Sequence, residues 1–444
     1  MQPERPPLAL RHRARLCARL AAAGGVCSAQ DLIHHGVPNS VTMLSLDEAR
    51  AAILSRIRPC AGAEAVPLRR ALGRFVATEL CARVDNPAFT NSAMDGYALA
   101  LADLLAAGFS LPLQGESRCG DPPGVLMPGT TMRIFTGAPL PQGADAVVMQ
   151  EDVRLEKEVV KFPGDVQPGR NLRRHAEDFR AGDRLYAPGR RLAAYDLALL
   201  SSAGFDQIPV YPRARALVVA TGDELVAPGT PLKPGQIYES NRLATLVQLE
   251  TLGVEAVDGG TVPDDPEALR ALLRTCAGYD FVVTSGGASV GDHDLVRQVF
   301  SEIGEIDFWR ARIKPGKPLA FGRLGARGHF FALPGNPVSS LVTFKLFVEP
   351  AVLAWNHAAP GAMPAFRAVA GNGLRREPGR TEFVRARLHL DHEGRLIATA
   401  LPGQGSHQIG ALRDTNGLIR IAEESTGFDQ GDTVMVIPLG LDRL

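Results

Sequence analysis

The chain has 444 residues, of which 45% are hydrophobic and 22% charged, and its 48 basic side chains balance its 48 acidic ones. At roughly 150 residues per domain, this length predicts about three domains with ordinary cores. A formal net charge of zero argues against a nucleic-acid coat or a polybasic membrane binder. The sequence has no run of about 18 uncharged apolar residues, so we expect no membrane span. Its six cysteines are scattered without a CxxC pair, which indicates reduced cytoplasmic thiols and argues against a zinc site.

The first 42 residues combine a basic stretch with a short apolar stretch that Gly24 and Gly25 interrupt. This interruption is a poor match to a signal peptide. We therefore expect residues 1–42 to be a poorly ordered or accessory extension, with a targeting segment as the alternative. Met43 would be a sensible alternative start.

Residues 43–85 and 165–208 predict the two halves of one elongated domain. The segment 44–57 has apolar residues at helical spacing, with Ser45 as its candidate N-cap. We expect the helical region to continue through residues 66–80, and residues 189–208 predict another helix. Between these halves, residues 86–164 alternate short β-type runs with Pro and Gly turns, which predicts an inserted β-rich domain.

Strand and helix patterns alternate between residues 209 and 360. This rhythm predicts a three-layer α/β domain whose mostly parallel sheet is covered by helices on both faces. Residues 361–444 return to short β-type runs, which predict a C-terminal β-barrel-like domain. The expected fold class is a multidomain α/β protein.

Four unusual loops leave strands of the α/β domain, and open parallel sheets bind ligands at the carboxyl ends of their strands. The loops are TGDEL (221–225), TSGGASVGDHD (284–294), IKPGKP (313–318) and LPGNPVSS (333–340). Backbone N–H, hydroxyl and ammonium groups gathered at such an edge suit phosphates and other oxyanions. The candidate phosphate-binding residues are Gly286, Gly287, Ser289, Lys314, Lys317, Asn336 and Ser339.

The same loops carry carboxylates, which repel anions unless a cation lies between them. Mg²⁺ typically takes one or two carboxylates together with phosphate oxygens and water. Together with Asp264, which follows another strand, the carboxylates on offer are Asp223, Glu224, Asp292 and Asp294. The candidate magnesium ligands among them are Asp223, Glu224, Asp264 and Asp294. Three alternatives stay open: Asp264 or Asp265 could cap the following helix, Glu224 could be a surface charge, and the two lysines of 313–318 could be solvated.

Three segments outside the α/β domain also carry candidate chemistry. NSAMDGYA (91–98) holds Asp95 in an apolar loop, and residues 133–152 place Thr136 at the end of a strand. Residues 169–183 set arginines beside Asp178. A turn aspartate and a solvated charge run are the alternatives. If the protein dimerises, the insert of one chain could close over the sheet edge of the other.

These motifs, together with IYESN (237–241), occur in the order found in the molybdopterin molybdenumtransferases. Residues 43–440 resemble this family, the MoeA family, which includes the E domain of gephyrin. The resemblance implies an enzyme that inserts molybdenum from molybdate into adenylylated molybdopterin, with Mg²⁺-dependent release of AMP. It also implies a homodimer of four-domain chains in the cytoplasm. A molybdopterin adenylyltransferase would act upstream, and apo-molybdoenzymes or their chaperones would act downstream.

The resemblance further implies roles for particular residues. The implied catalytic residues are Asp95, Thr136 and Asp178 on the insert side, and Glu224, Asp264 and Asp294 around the pyrophosphate and the metal. The residues implied for molybdate are Arg310, Arg380 and Ser406. The chain departs from the family at Ala176, where glycine is common, and Arg310 stands where some relatives have lysine.

Two other functions stay open on the sequence. TSGGASVGD resembles a loop shared with molybdopterin adenylyltransferases, although stand-alone enzymes of that kind lack the β-rich insert and the C-terminal β domain. A gephyrin-like molybdopterin-binding scaffold is the other alternative, and the intact acidic cluster argues against a purely structural role.

Overall fold

The computed structural model describes residues 43–287, 295–358 and 365–440. The predicted site residues Ser289 and Asp294 lie outside the described residues, as does the extension 1–42.

The first helix, α1 (Leu46–Arg56), begins at the predicted cap. The Ser45 hydroxyl accepts a hydrogen bond from the Glu48 N–H at 3.2 Å, and Glu48 Oε2 accepts one from the Ser45 N–H at 2.8 Å. This reciprocal pair is a capping box, so the predicted N-cap is confirmed. The apolar face of α1 joins the core of the α/β domain through Leu46, Ala49 and Ile53.

The prediction that this helical region continues through residues 66–80 is wrong. The chain instead forms β1 (Glu64–Pro67), a 3₁₀ turn (Leu68–Arg70) and β2 (Leu80–Cys81). β1 pairs antiparallel with the strand Gln207–Val210, so the predicted helix 189–208 is also shorter than expected. Pro67 and Gly73 both disfavour a continuous helix.

The inserted domain is β-rich, as predicted. Its strands are β3 (Asn91–Ser92), β4 (Gly96–Leu99), β5 (Ser110–Ser117), β6 (Thr131–Ile134), β7 (Ala146–Met149), β8 (Arg154–Glu156) and β9 (Val159–Lys161). Six of them form one sheet in the order β7-β4-β6-β5-β9-β8. The short helix α2 (Leu101–Ala106) between β4 and β5 was not predicted. The chain then returns to the first domain through β10 (Leu172–Arg173), β11 (Arg184–Tyr186), α3 (Ala194–Ser202) and β12 (Gln207–Val210).

The α/β domain contains a six-stranded sheet. Its strands are β13 (Arg215–Thr221), β16 (Glu255–Val262), β17 (Phe281–Ser285), β18 (Gly304–Arg310), β20 (Pro318–Leu324) and β21 (Gly328–Leu333), in the order β16-β13-β17-β21-β20-β18. β16, β13, β17 and β21 are parallel, and β20 is antiparallel to both of its neighbours. The mostly parallel sheet is confirmed, although β18 was not predicted. Short strands β14 (Leu225–Val226), β15 (Ile237–Tyr238) and β19 (Ile313–Lys314) lie in its loops.

Helices cover both faces of this sheet, as predicted. They are α4 (Asn241–Thr251), α5 (Pro266–Arg274), α6 (Leu295–Ile303), α7 (Pro337–Thr343) and α8 (Glu349–Trp355), with a π turn (Phe344–Val348) joining the last two. Side chains alternate across a strand, so Val218 packs with α4, α7 and α8, whereas Val219 packs with α5 and α6. The result is the three-layer arrangement expected from the sequence.

The helical stretch Pro337–Trp355 is long and apolar enough, by length and composition, to cross a membrane. However, 72% of its apolar window is buried inside the protein. It also carries an ion pair in which Lys345 Nζ lies 2.7 Å from Glu349 Oε1. Burial against the sheet therefore accounts for its apolar composition.

The C-terminal domain contains a closed barrel, as predicted. Its strands are β22 (Phe366–Ala370), β24 (Thr381–Leu390), β25 (Leu396–Ala400), β26 (Gly417–Ile421) and β28 (Thr433–Pro438). β23 (Leu374–Arg375) and β27 (Gly427–Phe428) form a separate ribbon. β19 pairs in parallel with β24, which joins the α/β domain to the barrel.

Candidate active site

Loops at the carboxyl edge of the α/β sheet line a cavity of about 1040 Å³, here called the main cavity. They follow β13, β16, β17 and β21. The predicted site residues that the structure brings together in this lining are Glu224, Asp264, Gly286, Gly287, Asn336 and Ser339. The convergence expected from strand order therefore holds for three of the four predicted loops, together with the loop after β16.

Close backbone packing explains the glycines of this edge. Gly286 has φ +91°, and a Cβ there would lie 2.4 Å from the carbonyl oxygen of Thr221. Gly287 has φ +65°, and its Cβ would lie 2.5 Å from Val296 Cγ2. A Cβ on Gly335 would lie 3.6 Å from the Gly286 Cα. At positions 286 and 287 only glycine allows so close an approach, whereas the distance at Gly335 is an ordinary contact.

Polar groups on the floor of the main cavity suit a polar ligand. Thr221 is buried, and its hydroxyl oxygen has no hydrogen-bond partner among the described residues. Ser285 and Ser339 are also buried and belong to the same lining. A buried unpaired hydroxyl is costly, so a ligand or water that pairs with Thr221 is favoured.

The predicted magnesium ligands do not form a closed cage in the described part of the chain. Asp223 Oδ1 accepts a hydrogen bond from the Asp264 N–H at 3.2 Å. No group of three or more His, Cys, Asp or Glu side chains in the described ranges is arranged to hold a metal ion. Mg²⁺ bound to a phosphate substrate needs only one or two carboxylates from protein. Glu224 and Asp264 both line the main cavity and could supply these one or two carboxylates.

The capping alternative is correct for Asp265. Its Oδ1 accepts a hydrogen bond from the Glu267 N–H at 3.1 Å, and it is the N-cap of α5. Asp264, one residue earlier, lines the main cavity instead.

The loop 313–318 behaves differently from the other three. β18 runs in the same direction as the parallel strands, so the loop leaves the same edge, but only Pro318 reaches the main cavity. Lys314 lies on β19 beside the barrel, where its Nζ is 2.9 Å from Glu382 Oε1. Lys317 is half-buried, and its carbonyl oxygen accepts a hydrogen bond from the Ala311 N–H.

Lys314 belongs to a second cavity of about 510 Å³. Its charged or amide-bearing lining residues are Lys314, Arg375, Arg376, Glu377, Arg380, Glu382 and Gln404. Glu382 is buried and also lies 3.3 Å from Arg376 Nη1. Cations outnumber carboxylates in this lining, so it suits a small anion.

The residues predicted for molybdate are divided between these places. Arg380 lines the second cavity, and its Nη1 donates to the carbonyl oxygen of Ile313 at 3.5 Å. The carbonyl oxygen of Ser406 accepts a hydrogen bond from the Val338 N–H, at the start of α7. Arg310 ends β18, and its buried Nε has no partner among the described residues.

The inserted domain brings two predicted residues together. Asp95 Oδ1 accepts hydrogen bonds from the N–H of Thr136 at 2.7 Å and from its hydroxyl at 2.9 Å. These hydrogen bonds lower the pKa of the Asp95 carboxyl below its usual value. Among the described residues, the lining of the main cavity includes none from the insert.

Asp178 lies in a neighbouring loop that pairing of β3 with β10 holds beside the Asp95 segment. Its Oδ2 accepts a hydrogen bond from Asn86 Nδ2 at 3.0 Å. Ala176, two residues earlier, has φ +57°, a conformation that favours glycine. The departure from the family's usual glycine therefore leaves an alanine in a strained backbone position.

Sequence reasoning missed several residues of the main cavity. The sequence indicates no role for the individual residues of the IYESN motif, and all five line the cavity. Asn241 Nδ2 donates to the carbonyl oxygen of Gly335 at 2.7 Å, which ties the start of α4 to the LPGNP loop. His407 enters the lining from the barrel. No local pattern predicts that contact, because it depends on how two domains pack.

The fold and the main cavity define a multidomain protein whose α/β domain carries a ligand site at the carboxyl edge of its sheet. Residues 44–204 match the model of the MoeA N-terminal region (domains I and II). Residues 217–354 match the probable molybdopterin binding domain, and residues 367–439 match the MoeA C-terminal region (domain IV).

Full-length relatives identify the family. The chain is 37% identical over 400 residues to the molybdopterin molybdenumtransferase of Haemophilus influenzae, covering 89% of this chain and 98% of the relative. It is 34% identical over 407 residues to molybdopterin molybdenumtransferase 2 of Mycobacterium tuberculosis, covering 89% and 99%. The crystal structure of the molybdopterin biosynthesis MoeA protein from Pyrococcus horikosii is similar with a TM-score of 0.76 at 32% identity, covering 90% and 99%. The chain belongs to the molybdopterin molybdenumtransferase (MoeA) family.

Proposed function

We propose that this chain inserts molybdenum from molybdate into adenylylated molybdopterin, with Mg²⁺-dependent release of AMP. Membership of the family makes the chain a transferase of molybdenum cofactor biosynthesis. The proposal adds three details to this: the substrate is adenylylated, the reaction needs a magnesium ion, and AMP is released.

The observation that carries this proposal is the convergence of loops on the main cavity. Its volume of about 1040 Å³ is at the upper end of small-molecule sites, roughly 300–1,000 Å³, and so suits a long substrate such as a pterin joined to a nucleotide. Gly286 and Gly287 let the loops pack closely at the edge of the cavity, and buried serines supply hydroxyl groups. These groups suit the phosphates of such a substrate.

Glu224 and Asp264 would hold Mg²⁺ together with phosphate oxygens and water. When bound, the ion would supply positive charge where two anionic reactants must meet. The remaining task of the protein is to orient the substrate, since positioning and electrostatics dominate phosphoryl chemistry. The glycine loops and Asn336 would orient the phosphates, and Asp95 with Thr136 would orient the dithiolene, the part of molybdopterin into which molybdenum is inserted.

The separation of the Asp95 group from the main cavity supports a homodimer. We infer that the insert of one protomer covers the main cavity of its partner, because the insert contributes none of the described lining of its own chain's cavity. A cytoplasmic location, an adenylyltransferase upstream and apo-molybdoenzymes or their chaperones downstream complete the proposal.

The test uses the purified full chain with adenylylated molybdopterin and molybdate, with and without Mg²⁺. We expect AMP release and active cofactor, measured by chromatography and by reconstitution of an apo-molybdoenzyme, and both should depend on Mg²⁺. Glu224→Gln should lower the rate at least about tenfold, because it removes a carboxylate that would hold the ion. Glu267→Gln is the matched control, since its side chain is 81% exposed and forms a surface ion pair. Equal AMP release without Mg²⁺, or no cofactor from the unchanged chain, would refute the proposal.

A further inference from the structure

Arg385 is a buried cation inside the C-terminal barrel. The residue is 1% exposed, and no acidic side chain in the described part of the chain pairs with it. Its Nη2 instead donates to the carbonyl oxygens of Gly403 and Gly405, the latter at 3.1 Å. A buried charge held only by backbone carbonyls is costly. In return, the buried guanidinium fixes the backbone of residues 403–405.

The backbone of Arg385 holds the same segment. Gln404 Oε1 accepts a hydrogen bond from the Arg385 N–H at 2.9 Å, and Gln404 Nε2 donates to the Arg385 carbonyl oxygen at 3.0 Å. Further along, Gln408 Oε1 accepts a hydrogen bond from the Gly405 N–H at 2.7 Å. The segment from 403 to 408, here called the barrel loop, is therefore held at its start by Arg385, and the bond between Gly405 and Gln408 braces it internally.

The barrel loop presents His407 to the main cavity. The carbonyl oxygen of Ser406 accepts a hydrogen bond from the Val338 N–H at 3.1 Å, which seats the loop on the α/β domain. His407 is exposed and lines the cavity together with Glu224 and Asp264. It contributes the one imidazole among the described lining residues. An imidazole N–H can donate to a phosphate oxygen, which carboxylates cannot do when ionised.

We propose that His407 contacts a phosphate group of the substrate in the main cavity and that Arg385 is the positioning residue that sets it, acting through the barrel loop. The inference rests on the proposed function, because it takes the main cavity to hold the adenylylated substrate. Gly405 allows the position of His407 to be tested independently of Arg385. A Cβ there would lie 2.9 Å from His407 Cε1 and 2.8 Å from Gln408 Oε1, so a side chain at 405 must displace the imidazole.

The experiment compares His407→Ala, Gly405→Ala and Arg385→Met with the unchanged chain. The measurements are KM and kcat for adenylylated molybdopterin and the calorimetric Kd of AMP. His407→Ala should raise KM and weaken AMP binding about tenfold, the effect of losing a hydrogen bond to a charged group. Gly405→Ala and Arg385→Met, each made in the unchanged chain, should also raise KM and weaken AMP binding. Added to His407→Ala, each of these changes should alter KM and Kd by less than about twofold further, because the imidazole whose position they affect is already absent.

His392→Ala is the matched control, since that imidazole is 86% exposed, and it should leave KM and Kd unchanged. Melting curves check that each variant folds. If Arg385→Met does not fold, Arg385→Lys replaces it in the cycle, because lysine keeps the buried charge but lacks the planar guanidinium that reaches both carbonyl oxygens.

Two results would overturn the inference while the unchanged chain still makes cofactor. A KM and AMP Kd within about twofold of normal in His407→Ala would remove the phosphate contact. Fully additive effects in the double variants would leave Arg385 and Gly405 with a merely structural role. Failure of the unchanged chain to make cofactor is a different result and would count against the proposed function.

Discussion

At the scale of single residues, Asp95 shows how local hydrogen bonds favour the ionised form of a carboxylate. Both the N–H and the hydroxyl of Thr136 donate to one oxygen, and they favour the ionised form. A folded-state pKa below the unfolded value means that this interaction is present above the unfolded pKa. It is lost only as the pH falls through the folded pKa. Asp95 should therefore stay charged throughout the neutral range.

We expect the carboxyl carbon of Asp95, followed by NMR, to titrate with a midpoint below about 3.9, the usual aspartate pKa. Thr136→Val removes the hydroxyl donor but keeps the N–H, so the midpoint should rise part of the way back. A midpoint at or above the usual value in the unchanged chain would contradict the geometry.

Ala176 is the residue whose backbone is least suited to its side chain in the Asp178 loop. Its φ of +57° costs an alanine about 1–2 kcal/mol, and glycine loses about 0.4–1 kcal/mol through its freer unfolded state. Ala176→Gly should therefore raise the free energy of unfolding by roughly 0.5–1 kcal/mol in a denaturant titration. Ala181→Gly, in the same loop, should lower it instead. If both changes destabilise equally, the strain assigned to position 176 is absent.

At the scale of elements, α1 joins the first domain to the α/β core, and its cap has a measurable value. Ser45→Ala removes the acceptor for the Glu48 N–H and should cost about 1 kcal/mol of unfolding free energy. Ser55→Ala is the control on the same helix, since its hydroxyl only donates to the Ala52 carbonyl at the exposed surface. Its effect should stay within about 0.5 kcal/mol. Equal losses from the two changes would show that the capping box does not stabilise α1.

Elements with local signals could be predicted from the sequence. The cap at Ser45, the βαβ rhythm and the glycine-rich strand ends are properties of neighbouring residues, and the structure places them as expected. Residues 66–80 could not be predicted in this way, because β1 is defined by pairing with β12 far along the chain. The position of Lys314 outside the main cavity could not be predicted either, because it depends on the pairing of β19 with β24 of the barrel. His407 entered it through domain packing alone.

At the scale of the whole molecule, the main cavity is built by two domains and, in our proposal, covered by a third from the partner protomer. Mixing two inactive variants tests this arrangement. Asp95→Ala damages the insert side and Glu224→Ala damages the cavity side. In re-equilibrated equal mixtures, half of the dimers would be mixed, and each would keep one intact site. Activity should then recover to roughly a quarter of normal.

The mixing experiment has a clear opposite outcome. If each site is built within one chain, every site in the mixture carries a lesion and activity stays at the level of the separate variants. A mixture of Asp95→Ala with Thr136→Ala is the control, because both changes lie on the same side and should not complement each other.

In our proposal, the loops at the sheet edge form the substrate site. A crystal structure of the protein soaked with AMP, Mg²⁺ and molybdate tests it most directly. We predict the phosphate of AMP in the main cavity, within hydrogen-bond distance of the Gly286–Gly287 backbone, with Glu224 or Asp264 on the metal side. AMP bound away from these loops, with the main cavity holding only solvent, would contradict the account.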